Sequence, residues 1–187
     1  TLGFNILNKF HFNSFQIMLS TRPIGPGNSI GTDEMWEAAT GALKSAVESL
    51  KLDFQVDEGA GAFYGPKIDV KIQVAFGRYW QCSSIQVDFN LPERFDLQYM
   101  DASQMVQRPI MIHRAIFGSL ERFFGVMIES NAAKFPVWLA PVQCRVLCIT
   151  DNLLGYCESV KAACEAAGIR VELKYQNDRL AKQIKQA

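Results

Sequence analysis

The chain has 187 residues, 49% of them hydrophobic and 20% charged, which is enough apolar matter for a packed core and excludes a disordered chain. Nineteen Lys and Arg balance nineteen Asp and Glu, so the overall basic excess typical of nucleic-acid binders is absent, although a basic patch can hide within a neutral average. No run approaches the roughly 18 apolar residues of a membrane span, and Thr1-Leu2-Gly3-Phe4 lacks the flanks of a signal peptide.

In chain order, residues 15–20 predict a strand, followed by a loop through Pro23, Gly25, Pro26 and Gly27. Thr32 is placed to cap a helix over 33–50, with Asp33 and Glu34 at its positive end. Met35, Trp36, Ala39, Leu43, Ala46, Val47 and Leu50 form that helix's apolar stripe. Ile68, Val70, Ile72 and Val74 then alternate with Asp69, Lys71 and Gln73. A turn at Phe76-Gly77-Arg78 leads to a second extended run, Tyr79 to Phe89, and the pair predicts a half-buried antiparallel hairpin. Pro109 precedes a strand over Ile110 to Phe117, ended by Gly118-Ser119. Leu120, Phe123, Phe124, Met127 and Ile128 mark the next helix.

The rhythm changes after Pro136. A strand over 145–150, a helix over 152–167 closed by Gly168, a strand over 169–175 and a helix from about Asp178 read as β-α-β-α with parallel pairing. Pattern alone therefore predicts an α+β unit followed by the start of an α/β unit, with the boundary in Pro136-Val-Trp-Leu-Ala-Pro141. We expect the first unit to occupy residues 1–139 and the second 140–187. The five cysteines, Cys82, Cys144, Cys148, Cys157 and Cys164, form no C-x-x-C pair and read as reduced thiols in a reducing compartment. A start at Thr1 rather than Met, and a stop within a helical pattern, lead us to expect a fragment of a longer protein.

Several strings go beyond pattern. They are Leu19-Ser-Thr-Arg-Pro23, Ile30-Gly-Thr-Asp-Glu-Met-Trp36, Gly61-Ala-Phe-Tyr-Gly-Pro-Lys-Ile-Asp69 and Ile85-Gln-Val-Asp-Phe-Asn-Leu-Pro-Glu-Arg94, then Pro109-Ile-Met-Ile-His-Arg-Ala-Ile-Phe-Gly-Ser-Leu-Glu-Arg-Phe123 and Phe135-Pro-Val-Trp-Leu-Ala-Pro-Val-Gln143. In this order they resemble the threonyl-tRNA synthetases of bacteria and organelles, class II enzymes. The resemblance runs from about residue 14 to the end. It implies the back half of a class II antiparallel-sheet catalytic domain, followed by the opening of an anticodon-binding domain. The implied reaction is ATP-dependent activation of threonine, with Mg2+, and transfer to tRNA(Thr) by a homodimer in the cytoplasm or an organelle matrix. A non-catalytic relative that binds RNA or a partner is the alternative that the sequence leaves open.

The resemblance also assigns residues. His113 matches a zinc ligand, and the remaining ligands are expected upstream of Thr1. A catalytic zinc takes three protein ligands. Zinc that accepts the substrate hydroxyl separates threonine from valine better than an apolar pocket does. Arg122 matches an arginine that packs on ATP, a role suited to a planar, permanently charged guanidinium. Gly118 and Ser119 precede it, where small residues admit the nucleotide. Gln81 and Ser84 match ATP-side positions, Tyr64 and Gln86 threonine-side ones, and Lys67 a position facing nucleotide or tRNA charge. Arg22 is read as structural. Two departures stand out: Ser83 replaces the family's usual glycine in Gln81-Cys-Ser-Ser84, and Ala60 replaces its usual glutamate.

Strict alternation puts Gln81 opposite Ser84 and Gln86, whereas the resemblance gathers all three. Both hold only if an extra residue bulges from the strand at Cys82–Ser83. With glycine usual there, Ser83 is expected to carry modest backbone strain, so that Ser83→Gly would be neutral or stabilising.

Overall fold

The structure, a computed structural model, describes residues 2–74, 77–175 and 179–186. The chain divides into two compact units, one running to Ser130 and one from Asn131.

In the first unit, helix α1 (Leu2–Lys9) leads to β1 (Phe15–Ser20), and α2 (Asp33–Ser49) follows the Pro/Gly loop. Thr32 caps α2: its backbone is extended and its hydroxyl accepts from the Met35 N–H at 3.3 Å. Hydrogen bonds from its own backbone N–H and from Thr32 hold the Glu34 carboxyl below its ordinary range, so that residue helps close the same helix end. Next come β2 (Gln55–Asp57), β3 (Lys67–Gln73), β4 (Tyr79–Asp88), the short α3 (Asn90–Arg94), the β5–β6 hairpin (Tyr99–Met100, Val106–Gln107), β7 (Met111–Ala115) and α4 (Leu120–Asn131).

Five strands make one sheet in the order β2-β1-β3-β4-β7, parallel between β1 and β2 and antiparallel elsewhere. Alternation gives the sheet two faces. One carries Ile17, Leu19, Ile68 and Val87, which close against Ala39, Leu43 and Val47 of α2 and against Phe89. Each of these larger buried side chains contributes roughly 2 kcal/mol of burial. Phe4 of α1 packs against the same cluster. Phe10 and Phe12 stack edge-on against Phe123 of α4. The other face gathers polar side chains.

The predicted elements survive with trimmed ends. The strand expected over Ile110–Phe117 is β7, Met111–Ala115, because residues 116–119 bend sharply into α4. The predicted turn at Phe76-Gly77-Arg78 keeps Gly77 at φ +73, while Phe76 lies outside the described residues. Helix α1, strand β2, helix α3 and the β5–β6 hairpin were not expected. All are short, and none carries enough periods of a pattern to be read. The hairpin's polar row is not solvated throughout: Asp69, alternating with apolar neighbours, is only 3% exposed.

In the second unit, β8 (Cys144–Cys148) pairs in parallel with β9 (Val171–Tyr175), and α5 (Leu154–Ala166) connects them after a 3-10 turn at Asp151–Leu153. The parallel pairing is the one expected. Gly168, at φ +77, ends the helix. Arg170 ties the preceding connector down, its guanidinium donating to the Trp138 and Ala140 carbonyls at 2.8 Å. Helix α6 (Leu180–Gln186) follows; Asp178, where a helix was expected to begin, lies outside the described residues. The cysteines are free thiols, and burial beside Cys157 pushes the Cys148 thiol up. Among the described residues, no helix is long and apolar enough to cross a membrane.

Candidate active site

The polar face is made by register. Lys67 pairs with Gln86 and Asp69 with Ser84 across β3–β4, and Gln86 pairs with His113 across β4–β7. These five side chains therefore lie on one side of the sheet. Gln81 joins them through an irregularity. Lys71 pairs with Gln81 but Val70 pairs with Ser83, so Cys82 is the extra residue of a β-bulge. The bulge expected at Cys82–Ser83 is present, and it returns Gln81 to the side of Ser84, whose hydroxyl accepts from Gln81 Nε2 at 3.0 Å.

Ser83 does not fit the expectation made for it. Its φ is not positive, and its hydroxyl donates to the Ile116 carbonyl, tying the bulge to the bend before α4. The expected strain is absent, and the prediction for Ser83→Gly reverses. Losing a hydrogen bond costs about 1 kcal/mol and glycine's backbone freedom adds about 0.5–1. Ser83→Gly should therefore lower stability by about 1–2 kcal/mol, read as a lower urea midpoint at unchanged slope.

Two clusters occupy this face. In the first, the Tyr64 hydroxyl donates to Gln86 Oε1 at 2.9 Å, and the Tyr64 ring meets the His113 ring edge-on at 6.3 Å. Tyr64, Gln86 and His113 line a cavity of about 340 Å³ together with Phe63, Asp88 and Leu91. His113 Nε2 lies 2.7 Å from Asp88 Oδ2, while Asp88 Oδ1 accepts the Asn90 and Leu91 N–H groups at 2.8 and 3.1 Å. Burial pushes the Asp88 carboxyl up, but the hydrogen bonds from His113, Leu91 and Asn90 outweigh it, and the group stays below its ordinary range. Asp88 thus fixes the imidazole ring and leaves Nδ1 to carry the lone pair of the neutral form.

In the second cluster Asp69 is the hub. Its Oδ1 accepts from Gln81 Nε2 at 2.6 Å and from the Ser84 hydroxyl; its Oδ2 faces Lys67 Nζ at 2.7 Å and the Ser20 hydroxyl at 3.4 Å. The Lys67 charge is thereby paired inside the protein.

Arg122, on the first turn of α4, donates from Nη1 to the Gln81 carbonyl at 3.3 Å, which brings it beside the bulge. Ser119 caps that turn, its hydroxyl accepting from the Arg122 N–H at 3.3 Å. Gly118 sits at φ +70, and a Cβ there would lie 2.9 Å from the Cys82 carbonyl oxygen, so the fold itself requires glycine. The loop holding Tyr64 is equally tight. Gly61 donates to the Thr21 carbonyl at 2.7 Å, and a Cβ on Gly65 would fall 1.8 Å from the Val87 carbonyl oxygen. Gly65→Ala should therefore cost about 3 kcal/mol and shift Tyr64 off Gln86, measurable as a lower midpoint in thermal unfolding. Arg22 binds Ser29 at 2.7 Å, the Gly31 carbonyl at 3.2 Å and Asp33, and its guanidinium lies over the Trp36 ring, a bracing role on the other side of the first loop.

Sequence reasoning missed Asp69 and Asp88. Both stood inside the matched strings, but an acidic residue alternating in a strand carries no signal that it is buried. His113 is oriented as a metal-binding histidine is, yet no group of three His, Cys, Asp or Glu side chains gathers for a metal among the described residues.

The model of the tRNA synthetase class II core domain (G, H, P, S and T) matches residues 4–131, and that of an anticodon binding domain matches residues 143–187. The chain is 56% identical, over 97% of its length, to the chloroplastic/mitochondrial threonine–tRNA ligase 2 of Arabidopsis thaliana, of which it covers 27%. It is 55% identical, over 96% of its length, to the threonine–tRNA ligase of a Synechococcus strain, of which it covers 29%. It thus spans under a third of these curated relatives. A crystal structure described as the RNA binding domain of threonyl-tRNA synthetase from Cryptosporidium parvum matches 99% of the chain at 40% identity with a TM-score of 0.92, and the match covers 46% of that structure's chain.

Proposed function

We propose that this chain, which belongs to the class II tRNA synthetase core family (G, H, P, S and T), forms part of a threonine–tRNA ligase. Residues 1–139 would be the back half of the catalytic domain and 140–187 the start of the anticodon-binding domain. The observation that carries this reading is the convergence of Tyr64, Gln86 and His113 in one cavity, on the same sheet face as the Gln81–Ser84 pair.

In this reading the cavity takes threonine, with Tyr64 and Gln86 reading its polar groups. The bulge side takes ATP with Mg2+. Gln81 and Ser84 contact the nucleotide, Gly118 and Ser119 shape its floor, and Arg122 lies against it. A guanidinium at the edge of a shielded cleft stabilises the charge that develops as the carboxylate attacks the α-phosphate and pyrophosphate leaves. Lys67 is held near the same charge by Asp69. His113 would supply one of the three protein ligands to a zinc ion, the others coming from a longer chain. When bound, that ion offers a Lewis-acid position to the substrate's amino and hydroxyl groups. Asp88, 2.7 Å from Nε2, orients the ring for that role. The partner would be tRNA(Thr), in a homodimer of the cytoplasm or an organelle matrix.

The test is threonine-dependent ATP–pyrophosphate exchange by a full-length ligase that carries this segment in place of its own. Exchange with threonine is expected, and a background rate with every amino acid would overturn the reading. The 187-residue chain alone should stay at background, because this face supplies only part of the charge stabilisation that the reaction needs.

A further inference from the structure

Another cavity lies on the face of the sheet turned away from Tyr64 and His113. Pairing sets Ile68, Ile85 and Arg114 in one row across β3, β4 and β7, with Val70 beside Ser83 in the next. Ile68 belongs to the apolar core, so this row lies on the core face. Successive strand residues point to opposite faces, which puts Arg114 behind His113 and Ser83 behind Ser84. Between this face and α1 is a space of about 180 Å³, walled by Leu2, Phe4, Leu7, Val70 and Ile116. Gly3 borders it from α1, its φ is not positive, and a Cβ there would meet no atom within 4 Å. Glycine is among the poorest helix formers, and neither a close approach nor a turn requires it here. Its effect is to leave the space open. The polar side chains on the wall are Ser83, Ser84 and Arg114. Ser83 directs its hydroxyl hydrogen to the Ile116 carbonyl and Ser84 directs its own to Asp69, so the guanidinium is the side-chain donor that remains. Arg114 is solvent-exposed, and among the described residues no carboxylate forms an ion pair with it.

We propose that this cavity binds a small monocarboxylic acid with an apolar body, its carboxylate on Arg114 and its hydrocarbon part between α1 and the sheet. An apolar cavity of about 150 Å³ holds benzene, so the space here takes a six-carbon ring or a branched chain of similar size. A guanidinium matches a carboxylate through two parallel hydrogen bonds. Inorganic phosphate has no apolar part to fill the space, a nucleotide is too large for it, and an amine would meet the charge of Arg114. The site is separate from the catalytic face and does not depend on the ligase reading.

The probe is benzoate, titrated into the full-length ligase carrying this segment and followed by ligand-detected NMR, beside benzyl alcohol and benzylamine. Benzoate should bind with a Kd of about 1 mM or below, and the neutral and cationic analogues at least about tenfold more weakly. Arg114→Met keeps the length of the side chain and removes its charge, and should weaken benzoate at least about tenfold. Gly3→Leu fills the space and should abolish binding. Saturating threonyl-sulfamoyl-adenosine should leave the Kd for benzoate within about threefold, as expected of separate sites. Circular dichroism checks that both variants are folded; if one is not, the other decides. The inference is overturned by an unmodified enzyme that binds no benzoate or binds benzyl alcohol equally well. Undiminished binding by a folded Arg114→Met or Gly3→Leu overturns it too, as does competition by the adenylate analogue, which would place benzoate on the catalytic face. Threonine-dependent exchange bears on the ligase reading alone.

Discussion

Replacing His113 with alanine in the full-length ligase should lower threonine activation at least about a hundredfold and release zinc in the same step. The magnitude follows from comparison with weaker perturbations. Removing a hydrogen-bond partner behind a metal ligand costs about 10–100-fold in affinity or activity, and removing the ligand itself must cost at least as much. The ring is already oriented for the role, with Asp88 at 2.7 Å from Nε2, only 3% of the Asp88 side chain exposed, and Asp88 itself anchored by two backbone N–H groups. Asp88→Asn should therefore act in the same direction but more weakly, since the amide still reaches the ring without the charge. Metal content by mass spectrometry, read beside the exchange rate, separates this from a simple packing loss. An active His113→Ala enzyme with a full complement of zinc would show that the ring holds something else.

Arg122→Ala should cost on the order of 10³-fold in kcat/KM for ATP. The helix gives no reason for an arginine at this position. It stands on the first turn of α4, the positive end of the dipole, where a cation is disfavoured by about 0.3–1 kcal/mol. Its guanidinium reaches the Gln81 carbonyl, and among the described residues no carboxylate forms an ion pair with it. A permanent charge kept in an unfavourable place is available to an anionic ligand. Arg122→Lys should recover only part of the loss, because an ammonium keeps the charge but neither stacks nor forms the planar fork. Thermal unfolding should move little or rise slightly in Arg122→Ala, which distinguishes a ligand-facing arginine from a structural one. A variant with unaltered kinetics for ATP would remove Arg122 from the site.

The parts of this molecule written in local patterns were legible before the structure. Thr32 and the stripe from Met35 to Leu50 announced α2, because a cap and several helical turns repeat one message. The bulge at Cys82 was legible for a different reason: alternation and the matched motif disagreed about Gln81, and only an extra residue reconciles them. What escaped was decided by contacts distant in sequence. Asp69 draws its partners from Ser20, Lys67, Gln81 and Ser84, three different strands whose register no local pattern encodes. Ser83 was misread because the glycine usual at its position suggested a backbone need, whereas its hydroxyl answers a carbonyl 33 residues away. Helix α1 is eight residues long and closes over its aromatic neighbours through tertiary packing, which a short window cannot foresee.

The most direct test of where this protein works is the hydrogen-exchange footprint of a non-hydrolysable threonyl-adenylate analogue, threonyl-sulfamoyl-adenosine, on the full-length ligase carrying this segment. The polar face predicts slowed exchange in residues 61–67, 81–88 and 113–122, with α2 on the opposite side of the sheet unchanged. Protection confined to α2, or an analogue that binds without slowing β4, would contradict the assignment of this face as the site.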